Sequence, residues 1–327
     1  MTGPQAAVAA VRLAIRPYLK VEPGEAVLVA CSGGADSLAL LAGCVFEARK
    51  AALRVVGVTV DHGLQDGSAG HTEQVVSQMA LLGADETASI RVTVDARTGG
   101  VEAGAREARY AALGQLAEHF EARLVLLGHT LDDQAETVLL GLTRGSGARS
   151  LQGMRRQYVE QGSRVGFARP LLDLTRAETE AACRAQGIEW WTDPHNADPR
   201  FVRSRIRHTV MPTLERELGP GIAAALARTA EQLREDLELI DPLVDDAYQR
   251  ARLDDGIDLD AVDGAGEAIR SRLVRRAAVE AGATPSDLTR SHVLAMLRLV
   301  GTSGKEVQLP GFVTAYAEGE TLRFRRT

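Results

Sequence analysis

Residues 26–50 read AVLVACSGGADSLALLAGCVFEARK, and that stretch decides the fold. Residues 26–30 are a short apolar β-type run that stops at Cys31-Ser32-Gly33-Gly34-Ala35-Asp36-Ser37. From Asp36 to Lys50 the apolar spacing is that of a helix. A strand that enters a helix through such a turn gathers the free N–H groups of the first helical turn around one point. Gly33 and Gly34 let the backbone approach an anion with no β-carbon in the way, and Ser32 and Ser37 add hydroxyl donors. Asp36 would be repelled by bare phosphate, so its presence makes sense if Mg²⁺ sits between them. Two glycines and a serine also occur at plain helix caps; the full S-G-G-x-D-S string at a strand–helix junction is far more specific. No G-x-x-x-x-G-K-[ST] is present, and no G-x-G-x-x-G follows the first strand.

Outward from this loop the pattern repeats. RVVGVTV (54–60) predicts a second strand ending in Asp61-His62-Gly63-Leu64, and a helix follows over 71–82. SIRVTVD (89–95) predicts a third strand, 101–118 a third helix, LVLLG (124–128) a fourth strand and 132–142 the next helix. Strand alternating with helix means βαβ units and a parallel sheet covered on both faces. Such sheets bind ligands beyond the carboxyl ends of their strands. GHTLDDQAET (128–137) lies at such an end. Asp132 and Glu136 are four apart on one helix face with Asp133 beside them, and His129 is on the lead-in. Acids in a first turn also simply suit the helix dipole; beside a phosphate loop they become candidates to hold a cation or accept a proton.

From about Gly145 the rhythm changes. RRQYVEQGSRVGFARPLLDL (155–174) predicts a hairpin and 176–186 a helix. Residues 222–251 read as one long helix interrupted at Pro242, 268–300 as two helices joined at GATPSD, and the C-terminus as three short strands. The fold expected is α/β: a parallel-sheet Rossmann-like domain over 1–215, then a mainly helical domain with a small C-terminal β element over 216–327.

Composition agrees. The 327 residues are 45% hydrophobic and 25% charged, an ordinary globular mix that excludes a disordered tail, a collagen-like fibre and a disulfide miniprotein. Three cysteines without C-x-x-C argue against disulfide staples and zinc ribbons. No apolar run approaches a membrane span and the N-terminal stretch reads as an amphipathic helix, so a cytoplasmic chain with no membrane partner is expected. The net charge of −6 hides an asymmetry. Residues 144–210 hold twelve Arg against seven acids, 231–267 thirteen acids against three Arg, and 268–327 ten basic residues against five acids. Solvated helix faces explain such runs, as do two phosphate-contacting patches on one polyanion. Trp190-Trp191 fits core packing as well as base stacking.

The S-G-G-x-D-S loop resembles the pyrophosphate loop (PP-loop) of the N-type ATP pyrophosphatases, which adenylate a carbonyl or amide oxygen and let a nucleophile expel AMP. Over nearly its whole length the chain resembles the tRNA(Ile)-lysidine synthase family, in its short form. The matching strings are SGGADS (32–37), VDHGL (60–64), REARYAAL (106–113), GHTLDDQAETVLLGLTRGSGARSLQGM (128–154), RPLLDLTRAE (169–178) and DPHNADPRFVRSRIRH (193–208). The last departs from the family pattern at His195, where Ser or Thr is usual, and at Ser204, where Asn is usual.

The resemblance implies replacement of the C2 oxygen of the wobble cytidine (position 34) in the CAU anticodon of tRNA(Ile) by the ε-amine of free L-lysine. ATP is cleaved to AMP and diphosphate, with Mg²⁺, through an adenylated cytidine. It implies ATP at Ser32, Gly33, Gly34, Ala35, Asp36, Ser37, Asp61, His62 and Gly128, with the metal on Asp36. Catalysis would fall to Asp36, His129, Asp132, Asp133 and Glu136. The tRNA would meet Arg144, Arg149, Asn196, Arg203, Arg205 and Arg207, and more weakly Arg270, Arg272, Arg275 and Arg276. His129 or one of the three acids after it is the candidate base, and a homodimer stays open. Two rivals remain: another adenylating enzyme on the same loop, such as a tRNA thiolase or an amide synthetase, and a regulator that holds ATP without chemistry.

Overall fold

The computed structural model describes residues 5–20, 22, 24–61, 63, 67–93, 101–144, 147–159, 162–193, 198–299, 302 and 304–327, with the backbone alone at 101–103 and 144. The chain runs α1 (Ala6–Ile15), a 3₁₀ turn (Arg16–Tyr18), β1 (Ala26–Ala30), α2 (Ala35–Ala51), β2 (Arg54–Asp61), α3 (Ser68–Leu81), β3 (Glu86–Arg91), α4 (Val101–His119), β4 (Ala122–Leu127), α5 (Leu131–Arg144) and α6 (Ala148–Leu151). It continues through β5 (Gln157–Val159), β6 (Gly166–Ala168), α7 (Arg176–Ala185), α8 (Val202–Arg205), a π-helical turn (Ile206–Val210), α9 (Met211–Leu218) and α10 (Ile222–Ala251). The remainder is β7 (Arg252–Leu253), β8 (Gly256–Asp258), α11 (Leu259–Asp263), α12 (Glu267–Glu280), α13 (Arg290–Leu297), β9 (Glu306–Leu309), β10 (Val313–Glu318) and β11 (Thr321–Arg326). Two compact units result: Met1–Leu140 with Gly153–Ala227, and Gly141–Gln152 with Arg228–Thr327.

In the first unit six strands lie in the order β3-β2-β1-β4-β6-β5, every neighbouring pair parallel except β5–β6. The chain builds outward from β1 to β3, then returns to place β4 on the other side of β1. The order therefore reverses between β1 and β4, and the crevice beyond their carboxyl ends is the expected ligand position. β1 is buried on both faces. Val27 and Val29 pack into a core with α1, α2, α3 and α7, whereas Leu28 joins Val56, Val58 and Leu113 under α4.

The parallel sheet and the hairpin over 155–174 agree with the sequence reading. The third strand differs: it covers 86–91 where the sequence predicts 89–95, because Val56–Asp61 of β2 pairs with Glu86–Arg91 and β2 ends there; 94–95 lie outside the described residues. An Asp61–Arg91 ion pair of 2.8 Å closes that end. Pro242 does not interrupt α10, which passes through it as one helix. Pro242 and Glu238, whose carbonyl the proline cannot satisfy, are both exposed residues. In the second unit the three C-terminal strands pair with β7 and β8 in an antiparallel sheet ordered β7-β8-β11-β10-β9. The latter two are too short to announce themselves by alternation. Among the described residues no helix is long and apolar enough to cross a membrane.

Gly57, in the middle of β2, owes its identity to packing. A β-carbon there would lie 2.8 Å from Met79 Sδ on α3. We predict that Gly57→Ala destabilises by about 1–3 kcal/mol and Met79→Ala by about 2–5 kcal/mol. The double variant loses clearly less than the sum, since each change relieves the other. Urea midpoints of the four proteins check this; strict additivity would contradict it.

Candidate active site

The loop after β1 is stitched by its own serines. Ser37 Oγ donates to Gly34 O at 2.9 Å and accepts from Ser32 N at 3.2 Å. Gly33 takes φ +81°, and a β-carbon on it would strike Val75 and His71. The loop after β4 passes directly over this turn: a β-carbon on Gly128 would sit 2.9 Å from Ser37 N and Cα. Only glycine allows that approach. It brings the acids of α5 to the first turn of α2.

Three helix N-termini, those of α2, α5 and α7, converge here with four carboxylates. Asp133 caps α5, accepting from Thr130 N at 2.9 Å and Thr130 Oγ1 at 3.1 Å. Asp132 accepts from the Arg176 backbone N–H at 2.8 Å, at the start of α7. Asp36 accepts from Thr179 Oγ1, also on α7. The Arg176 side chain reaches Asp133 at 3.0 Å, Asp36 at 3.6 Å and Glu136 at 3.8 Å. Glu136 is 1% exposed. Arg207 grips it with two bonds of 2.7 and 3.0 Å and touches Asp133 at 3.3 Å. Arg203 lies 3.2 Å from Glu136 and donates to Thr137 Oγ1 at 2.9 Å.

These contacts set the charges. Burial pushes the Asp36 carboxyl up to about 6; Thr179 and Arg176 restrain the rise, and Asp133 and Asp132 add to it. Burial also opposes ionisation of Asp133, but Arg176, His129 and the Thr130 N–H outweigh it and hold its carboxyl below the ordinary range. His129 moves the other way. Burial pushes its imidazole down to about 3; Asp133 opposes this, while Arg169, Arg109 and Arg106 reinforce it. It is therefore neutral at pH 7 and a weak proton acceptor. Its Nδ1 is buried with no hydrogen-bond partner.

Beyond the ends of β1, β2 and β4 opens a pocket of about 400 Å³, within the range of small-molecule sites. Val58, Val60, Leu113 and Leu127 give it an apolar side; Ser32, Gly34, Ser37, Gly128 and His129 give it a polar one. Arg109, Tyr110, Trp191 and Asp193 also line it, with Ala30 and Cys31 at the end of β1. Nearby Arg169, 3% exposed, and Arg106 both donate to Tyr110 Oη, at 2.9 and 3.4 Å. Burial alone would raise that phenol, but the surrounding arginines lower it.

The structure thus gathers Ser32–Ser37, Gly128, His129, Asp132, Asp133, Glu136, Arg203 and Arg207. Asp61 lies at the end of β2, held by Gly63 N and Arg91, and Gly63's hydrogen bond keeps its carboxyl low. Arg205 is exposed and donates to the Pro199 and Arg200 carbonyls. Arg149, in the second unit, pairs with Asp241 at 2.6 Å. Arg270 and Arg276 pair with Asp263 and Asp245, while Arg272 and Arg275 donate to backbone carbonyls. His62, Asn196 and the Arg144 side chain lie outside the described residues. Arg176 and Thr179 are the residues that motif reading passed over. The signal was there: a cation at the first position of a helix opposes the dipole and calls for nearby acids.

Residues 9–214 match the PP-loop domain family. The chain is 49% identical over 316 residues to a tRNA(Ile)-lysidine synthase of Thermobifida fusca, covering 95% of each. It is 44% identical to one of Streptomyces coelicolor over 99% of each chain, and 46% identical to one of Salinispora arenicola over 98% of this chain and 94% of that one. Among solved structures, the U34-tRNA thiolase NcsA of Methanococcus maripaludis with its [4Fe-4S] cluster superimposes with a TM-score of 0.59 at 16% identity. The match covers 71% of this chain and 80% of that one, a likeness of fold alone.

Because Asp36 sits near 6 when folded and near 3.9 when unfolded, the folded chain holds a proton that the unfolded chain loses between those values. Stability therefore falls as pH rises through that window. We predict that Asp36→Asn, in chelator without nucleotide, is more stable than the native chain above pH ~6, by roughly 2–3 kcal/mol. The gain vanishes below pH ~4. Denaturation at pH 4, 6 and 8 measures this; a gain independent of pH would refute it.

Proposed function

The chain belongs to the tRNA(Ile)-lysidine synthase family of PP-loop proteins, and from that membership we infer that it is an ATP-dependent ligase forming lysidine on tRNA(Ile). The observation that carries the chemistry is the seam at Gly128, which sets the phosphate turn against a cluster of acids at the switch point of the sheet. A ring carbonyl oxygen is a poor leaving group. Adenylation turns it into part of AMP, which departs readily, and that is what ATP supplies.

ATP fits with its triphosphate on the N–H groups that open α2 and its base on the apolar wall of Val58, Val60, Leu113 and Leu127. Phosphate also gives Arg109 an anion, and no carboxylate partner of Arg109 is seen among the described residues. Asp36 suits Mg²⁺, a hard cation held by one or two carboxylates together with substrate phosphates. When bound, Mg²⁺ would neutralise the triphosphate and support charge on the departing diphosphate.

Lysine is assigned to the acids of α5. Its ε-amine has a pKa of about 10.4, so at pH 7 only roughly one molecule in 2,500 is nucleophilic. With Asp36 given to the metal, three carboxylates and three guanidinium groups remain: Asp133 and Glu136 pair with Arg176, Arg203 and Arg207, and Asp132 accepts from the Arg176 backbone N–H. A charge-balanced site stabilises the ammonium form little, which favours the neutral amine. His129, neutral at pH 7, orients substrate by hydrogen bonding. For the departing proton Asp132 is the better acceptor, because Asp133 and Glu136 are tied to arginines. Contact with RNA phosphate we assign to the exposed Arg149 and Arg205.

A thiolase reading finds less support. Cys31, Cys44 and Cys183 are buried free thiols. Burial pushes Cys44 and Cys183 up to about 12 and Cys31 higher still, so none offers the thiolate that sulfur transfer needs.

Incubation of the protein with ATP, labelled lysine and tRNA(Ile) tests the reading: label entering the RNA at C34 with AMP release is expected, and ATP turnover without it would sink the proposal. Asp132→Ala should still release diphosphate with tRNA and ATP. Its KM for lysine should rise about ten- to a hundredfold; an unchanged lysine KM would remove Asp132 from that role.

A further inference from the structure

The two adjacent tryptophans part company in the fold. Trp190 packs against the core that holds α1, α2 and α7, with the Arg184 guanidinium 5.7 Å from its ring. Trp191 is 38% exposed and lines the pocket. Its backbone N–H donates to Gly33 O at 2.9 Å, fastening it to the phosphate turn. Its ring packs at a tilt against His71 of α3, centroids 4.0 Å apart and planes at 39°. His71 in turn places Nε2 3.2 Å from Ser32 O. The indole is thus tied to the turn by its own backbone and backed by a second ring tied to the same turn.

A half-exposed aromatic ring immobilised on the wall of a nucleotide-sized pocket is how proteins build platforms for nucleobases. Two bases enter this pocket if the chain acts as a lysidine-forming ligase, the reading on which this inference rests. The apolar strand ends serve adenine. Trp191 hangs instead on the turn that holds the phosphates, where the acceptor base must come to take the adenylyl group. We propose that Trp191, braced by His71, is the surface on which the target cytosine stacks, and so a specificity-determining residue for the flipped-out pyrimidine.

Lysine incorporation by the unmodified chain is the control; if it is absent, the functional reading itself falls and the variants are not needed to decide it. With that activity present, Trp191→Ala and Trp191→Leu should each raise KM for tRNA(Ile) about ten- to a hundredfold while KM for ATP stays within about twofold. Trp191→Phe should recover most of the loss. His71→Ala should raise the same constant to a smaller degree. Leucine separates stacking from packing, since it keeps apolar volume but has no π-face. A loss confined to the ATP constant, rescue by leucine, or unchanged constants would each overturn the proposal. Should the Trp191 variants fail to fold, a Trp190→Phe protein leaves one indole to follow. A CAU anticodon stem-loop added with a non-hydrolysable ATP analogue should quench it beyond the change the analogue alone causes; no further quenching overturns the assignment.

Discussion

Between Gly128 and Ser37 there is no room for a side chain: a β-carbon on the first would lie 2.9 Å from the backbone of the second. This close approach is where the central strand β4 and the first crossover helix α2 meet, and it sits at the place in the sheet where strand order reverses. Two sequences some hundred residues apart are thereby pressed into one site. The turn after β1 contributes backbone N–H groups; the turn after β4 contributes acids on a helix start. Separate them by a methyl group and each reverts to an ordinary helix cap.

The acids can be buried there only because arginines come with them. Glu136, almost wholly removed from solvent, is held by Arg207 and Arg203. An unpaired carboxylate in that position would cost several kcal/mol. The π-helical turn at Ile206–Val210 follows the short helix that carries Arg203, and it carries Arg207 itself; such irregular turns are frequent at functional positions. The second cluster of cations, Arg106, Arg109 and Arg169, has Tyr110 at its centre rather than a carboxylate. One side of the site thus interleaves carboxylates with arginines, whereas the other gathers arginines around a phenol.

Much of this was legible in the sequence, for identifiable reasons. β1, β2 and β4 are continuous apolar runs because both faces are covered, and the polar strings at their ends stand out against them. The register of β3 was not legible: SIRVTVD alternates cleanly, but pairing with β2 decides where the strand stops. Nor does an arginine count give direction. Twelve arginines over 144–210 look like one basic patch, whereas in the structure Arg203 and Arg207 turn inward to Glu136 and Arg149 and Arg205 stay exposed. The tryptophan pair was equally undecided, since adjacent residues in an extended segment face opposite ways.

The helix α7 shows why fold and site cannot be apportioned separately here. Thr175 and Glu178 close a capping box that fixes where the helix begins, typically worth about 1 kcal/mol. That start point directs the Arg176 N–H at Asp132 and puts Thr179 against Asp36. Arg176 then stands at a positive helix end, which is unfavourable by itself, and is stabilised by the same Asp133, Asp36 and Glu136 that it neutralises. The acids anchor the helix, and its Arg176 holds the Asp133 carboxyl low and restrains the rise at Asp36. A charge removed from either side therefore moves stability and ligand affinity together.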